Sequence, residues 1–103
     1  MRGRRIEYDP SQNIVSQLTQ PGDYLGPITG YHADSPGVFF LLPLTEAPDG
    51  HPEALALHSV RSPPHVFTEE PDGTLTIRES IGAGPGGNYY WHGYLTAGEW
   101  SVC

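Results

Sequence analysis

Glycine and proline punctuate this chain from end to end, 13 and 11 of them among 103 residues. That spacing constrains the fold more than any other feature. Proline removes a helical N–H and clashes with the preceding turn, while glycine costs backbone entropy inside any regular element. Long helices are therefore excluded, and short strands joined by many turns are expected. Two tryptophans, six tyrosines and three phenylalanines supply enough bulk for a core, which sets the chain apart from disordered Gly/Pro-rich segments. The length allows one such core. The expectation is a single mainly β domain over residues 1–103, an antiparallel sheet or sandwich with at most one short helix.

The formal net charge is −7 and the chain contains no lysine. Arg2, Arg4 and Arg5 lie at the start, so the remainder is more acidic still. A surface that tracks phosphates needs basic clusters, and nucleic acid is excluded as a partner on that ground. The basic start lacks the apolar stretch of a signal peptide, and no run reaches the length that spans a bilayer. No membrane association is expected, and the cytoplasm is the default location. The single cysteine, Cys103, rules out an internal disulfide or a cysteine-based zinc site and reads as an inert terminus.

Along the chain, RRIEYD (residues 4–9) alternates as an opening edge strand. Residues 11–20 carry Ile14, Val15 and Leu18 at helical spacing, with Ser11 as a cap, for two or three turns that stop at Pro21-Gly22. A short strand is expected around residues 28–31 and the strongest one at 37–44, GVFFLLPL. Residues 53–61 read as a strand in preference to a helix. HVFTEE and TLTIRESI flank Pro71-Asp72-Gly73, which suits a type I turn followed by a glycine at positive φ. YYWHGYL alternates in turn, and Thr96-Ala97-Gly98 makes the last turn before a closing strand at residues 99–102.

Gly82-Ala83-Gly84-Pro85-Gly86-Gly87 spells G-x-G-x-x-G. A dinucleotide site requires a helix after the glycines to hold the pyrophosphate, and here an aromatic strand follows. The segment is a flexible hairpin loop whose backbone N–H groups can approach a substrate closely. The five histidines show none of the spacings of a contiguous metal motif. A metal site would have to be assembled from distant loops, with His32, His65, His92 and Asp34 as candidates. The favoured reading assigns no metal and no cofactor.

The hairpin carries a more specific possibility. Pairing Ile81 with Tyr89 sets Glu79 opposite Trp91 and Arg78 opposite His92. Leu75, Ile77, Ile81, Tyr89, Trp91 and Leu95 then share a core face. Thr76, Arg78, Ser80, Tyr90, His92 and Tyr94 share the outer one. Ser80 and His92 become diagonal neighbours with Cβ atoms typically ~5.5–8 Å apart, within reach of a nucleophile and its base. A plain polar sheet face would carry the same pair. Glu79 is out of place on an apolar face, which points either to a bulge or to a pairing with Arg78 or Arg61. Tyr90, Tyr94 and Trp100 have the composition of a protein-binding patch.

FTEEPDGTLTIRESI followed by WHGYLTAGEW resembles a family of small bacterial and phage proteins related to BubE, the serine-protease-like peptidase of bacterial ubiquitin-like conjugation operons. Its C-terminal phrases read P-T-L-x-P-S-I and C-H-G-F-I-x-D-G-x-W. The likeness covers about a third of this chain: Thr74-Leu75, Ser80-Ile81, His92-Gly93-Tyr94-Leu95 and Gly98-Glu99-Trp100. Glu79 stands where the family has proline and Trp91 where it has cysteine. The cysteine-rich N-terminal phrase of many members is missing. The resemblance implies a peptidase or isopeptidase in the bacterial host cytosol, with Ser80 as nucleophile and His92 as base, acting on a protein tail such as that of a ubiquitin-like modifier. In that reading Gly82, Gly84, Gly86 and Gly87 supply oxyanion N–H groups; the sequence identifies no third, orienting carboxylate, for which Asp34, Asp72 and Glu79 are the candidates. The other reading is a non-enzymatic phage or mobile-element accessory, an acidic β-module that binds a host or virion protein.

Overall fold

The computed structural model describes residues 1–32 and 34–103. One sheet is formed by β1 (Tyr24–His32), β2 (Ser35–Phe40) and β3 (His58–Arg61), antiparallel in that order. The other is an antiparallel meander of β4 (Val66–Glu69), β5 (Leu75–Ala83), β6 (Trp91–Thr96) and β7 (Glu99–Val102). Among the described residues helical structure is limited to one turn, α1 (Ile14–Gln17), and 3-10 turns at Pro52–Leu55 and Pro85–Gly87. The chain is mainly β, as its punctuation requires. No helix among the described residues is long and apolar enough to cross a membrane.

The inner faces of the two sheets share one core. Val38 and Phe40 of β2 meet Leu75, Ile77 and Ile81 of β5, Trp91 and Leu95 of β6 and Trp100 of β7, all buried. The opposite face of the three-stranded sheet presents Leu25 and Phe39, on which Ile14 and Leu18 pack. The four-stranded sheet turns its other face to solvent, and its alternating burial follows from that one-sided packing.

Trp100 ties the two halves together. Its indole Nε1–H donates to Gly22 O at 2.8 Å in the interior. Its ring meets Phe40, Trp91 and Tyr24 at centroid distances of 5.3, 5.7 and 6.5 Å. The N-terminal segment crosses this junction instead of forming the strand expected at residues 4–9. Met1 and Gly3 exchange backbone bonds with Trp100 and Gly98, whereas Arg4 and Ile6 bond to Tyr24. The segment is therefore a strap with one end on each sheet. A Cβ on Gly3 would lie 2.7 Å from the indole Nε1 and 2.8 Å from Gly22 O, so only glycine fits there.

The turns follow their residues. Gly73 N–H donates to Glu70 O with Gly73 at φ 84°, the expected type I turn and glycine. Ala97 and Gly98 have φ of 45° and 77° between the paired Thr96 and Glu99, a two-residue loop in which both central residues are left-handed.

Several boundaries differ from expectation. The helix has one turn, because an isolated stretch this short lacks the length to propagate. Asp9 engages the N–H and hydroxyl of Ser11, so Ser11 is no cap. The second strand stops at Phe40, since the backbone of Leu41 turns to Asp23 and Gly22. Residues 53–61 split into a 3-10 turn and β3. In the long hairpin Ile81 pairs with Gly93, not Tyr89, and Gly82 pairs with His92. The shift of four residues (93 − 89) preserves the period of two, so the face assignments survive within the ladders; ahead of β6, Tyr89 is 54% exposed and Tyr90 packs half-buried against the core. Ala83 takes the place expected of Tyr89 in the core.

Asp23 is a buried charge, 1% exposed, beside the strap. It accepts bonds from Arg4 Nε and Nη2 at 3.1 and 2.9 Å and from the N–H groups of Thr19 and Gln20 at 3.0 Å. Burial works to raise its pKa, but the bonds from Arg4 and the two amides outweigh burial and hold the carboxyl below its ordinary range. A depressed folded-state pKa contributes stability above the unfolded value, about 4, and loses it as pH falls through the folded value. Asp23→Asn is expected to cost about 2–4 kcal/mol at pH 7 in urea unfolding. The gap between variant and native protein should narrow on acidification below about pH 4.

Candidate functional site

Two ladders stop short of the same place on β5. The β4 ladder ends at Val66 opposite Arg78, and the β6 ladder is interrupted between Ile77–Leu95 and Ile81–Gly93. Four residues of β5 span two of β6, which makes a bulge at residues 78–80. Glu79 takes up the distortion with φ 68°, a left-handed conformation that costs a side-chain-bearing residue roughly 1–2 kcal/mol. The bulge turns the carboxylate out of the apolar face to which simple alternation assigns it, and Glu79 is exposed. Backbone strain of this kind concentrates at functional positions.

The next residue is Ser80. Its Oγ and His92 Nε2 are 2.8 Å apart in a partly buried hydrogen bond across the outer face. A base takes a hydroxyl proton through such a contact. Tyr89 lies over the imidazole at a centroid distance of 5.1 Å and also covers Gly82, where a Cβ would collide with its ring. Beneath, His65 Nε2 is 3.3 Å from Ser80 O, and His65 Nδ1 is buried with no partner. A carbonyl only accepts, so Nε2 carries the His65 proton. The His92 carbonyl accepts a bond from Cys103 N–H at 2.9 Å. Tyr94, exposed on the same face, has its pKa pushed up, first by its side-chain hydrogen bond with Cys103 and also by the charges of Cys103 and Glu79. Cys103 is exposed beside the site, with its backbone N–H held by His92 O.

The other expected site residues divide. Gly82 belongs to β5 and faces His92. Gly84, Gly86 and Gly87 lie in the connection beyond β5, where Pro85–Gly87 is a 3-10 turn. Gly84 alone is four residues from Ser80, roughly 13 Å along an extended strand, too far to hold an oxyanion there. Its positive φ of 148° and the approach of Asn88 O, which a side chain at this position would strike, make it a turn glycine. Among the expected binding aromatics Tyr94 is on the surface. Trp100 is 2% exposed and belongs to the core, and Tyr90 is half-buried against the core and meets the His51 ring in a tilted contact at 5.1 Å. Trp100 is the ladder partner of the buried Leu95 and shares its core-facing side. Asp72 is bound by the N–H of Thr74 at 3.0 Å and serves the turn. Asp34 lies between β1 and β2, in the other sheet. Among the described residues no three His, Cys, Asp or Glu side chains converge as metal ligands. His65 enters the site through Ser80 instead.

A second serine–histidine contact, His32 Nε2 to Ser59 Oγ at 3.1 Å, lies exposed on the other sheet. Its imidazole stacks on Phe39 at 5.7 Å, and no positive-φ side-chain residue adjoins it among the described residues. Proximity therefore arises twice, while the strained bulge accompanies Ser80 alone. Comparison with protein-family models, with curated proteins and with solved structures returns no match.

Glycine at position 79 removes the left-handed penalty but adds unfolded-state freedom, so Glu79→Gly should stabilise the fold by about 0.5–1 kcal/mol in urea unfolding. Gly82→Ala should displace the exposed Tyr89 ring at a cost under about 1 kcal/mol. Its signature is faster carbethoxylation of His92 by diethyl pyrocarbonate, read by mass spectrometry.

Proposed function

We propose that this protein is a serine-type hydrolase with a Ser80–His92 dyad, a peptidase or isopeptidase that acts on a protein tail in the bacterial host cytoplasm. The observation that carries the proposal is the 2.8 Å bond between Ser80 Oγ and His92 Nε2 directly after a left-handed Glu79. In the reaction His92 Nε2 takes the hydroxyl proton while Oγ attacks the carbonyl carbon. His92 then returns that proton to the departing amine, and the acyl group leaves Ser80 by attack of water. Gly82 is the expected loop glycine within reach of Ser80, and its N–H is the donor for the oxyanion. The likeness to the BubE-related family makes a ubiquitin-like modifier the favoured source of the tail.

The aromatic face favours a second reading, a non-enzymatic phage or mobile-element module that binds a host or virion protein. Tyr89, Tyr94 and Val66 are 54%, 43% and 49% exposed around the serine–histidine pair, and such rings suit a protein contact.

A fluorophosphonate probe separates the two. Covalent labelling at Ser80, reduced at least 100-fold in Ser80→Ala and His92→Ala and unchanged in Ser59→Ala, is the expected result. A folded protein that takes no label, or that keeps it in Ser80→Ala, overturns the hydrolase and leaves the binding module.

A further inference from the structure

β5 is nine residues long, yet β4 pairs only with its first four, Leu75 to Arg78. The direction of the remaining backbone groups follows from the ladder. Ala83 O accepts from Tyr90 N–H, which leads into β6, so the polar groups of Ala83 and Ile81 point towards β6. Successive residues of a strand point their N–H and C=O to opposite sides. The groups of Ser80 and Gly82 therefore point to the side that β4 has vacated. His65, the residue before β4, meets Ser80 O on that side, as this alternation requires. Gly82 pairs with His92 as a non-bonded pair, consistent with the His92 carbonyl turning to Cys103. Gly82 is exposed although the Tyr89 ring covers its outer face, which leaves its backbone edge as the open part.

We infer that this edge, residues 80–83, takes an extended polypeptide segment as an added strand in line with β4. With Ser80 O taken by His65, the groups left on this side are the Ser80 N–H and the N–H and C=O of Gly82, a two-residue spacing that another extended backbone matches. The added backbone would run about 4.8 Å from β5. It would lie on the side of Ser80 away from β6, with His92 behind the hydroxyl and the incoming carbonyl in front. The groove of about 410 Å³ between Arg5–Tyr8 and Gly26–Ile28 lies at the opposite end of β5, next to Gly73, and neither Ser80 nor His92 lines it. The backbone pattern of the edge matches an unfolded tail. A basic tail is favoured by the chain's −7 charge. The inference rests on the hydrolase reading only for what happens to the segment once it is bound.

The test uses the full chain carrying Ser80→Ala and a fluorescein-labelled octapeptide of alternating valine and arginine. Gly82 amide exchange, followed by NMR, should be fast in the free protein and slow at least tenfold with saturating peptide. The same peptide N-methylated at every second residue should bind at least tenfold more weakly by fluorescence anisotropy. A Gly82 amide already protected in the free protein, unchanged by the peptide, or a peptide that fails to bind at millimolar concentration, overturns the inference. Fluorophosphonate labelling of native protein without Gly82 protection keeps the dyad and removes the edge. Protection without labelling keeps the edge as the docking strand of a binding module and removes the hydrolase.

Discussion

The buried indole of Trp100 is the contact on which the rest of the structure depends. It belongs to the last strand, yet it bonds to the carbonyl of Gly22 and packs on residues of β1, β2 and β6. An antiparallel meander is intrinsically local and a three-stranded sheet beside it has no backbone reason to stay attached. One large aromatic with a single polar atom satisfied across the interface provides that reason, because its burial counts for both sheets. The strap from Met1 to Ile6 then lies over the joint with backbone bonds to either side. Asp23 and Arg4 hold it by a charged pair whose carboxylate is fully enclosed. The outer face of the meander is consequently rigid at its root and free to carry chemistry at its surface.

The bulge converts that surface into a site. A regular ladder would put an acidic side chain against the core, which is untenable without a partner. Letting Glu79 rotate into the left-handed region removes the conflict and leaves Ser80 outside both ladders. The same distortion frees the edge beside Gly82. A local incompatibility between pattern and burial thus produces a positioned hydroxyl and an open backbone together.

Much of the sheet architecture is legible from residue order. Pro71-Asp72-Gly73 and Thr96-Ala97-Gly98 specify their turns through local φ preferences, and the buried positions Leu75, Ile77, Ile81, Trp91 and Leu95 alternate as a half-buried strand must. The meeting of Ser80 and His92 is also readable, since an even register error keeps both on one face. The pairing itself is not, because nothing local announces that the ladder resumes at Gly93 or that Tyr89 folds back over Gly82. Trp100 looks like a rim aromatic until its ladder partner, the buried Leu95, is known, and its bond to the distant carbonyl of Gly22 has no signal in residue order. The strap eludes periodicity for a related reason: its residues divide between two sheets, so no single face governs them. His65 carries no spacing signal at all, and its role follows from a contact across 15 positions of chain.

The strap also bears on the order of assembly. Met1 hydrogen-bonds to Trp100, 99 positions away in the chain. Closing a loop of that length costs more chain entropy than closing any hairpin of the meander. The hairpins therefore form ahead of the joint, and docking of the strap seals the two sheets afterwards.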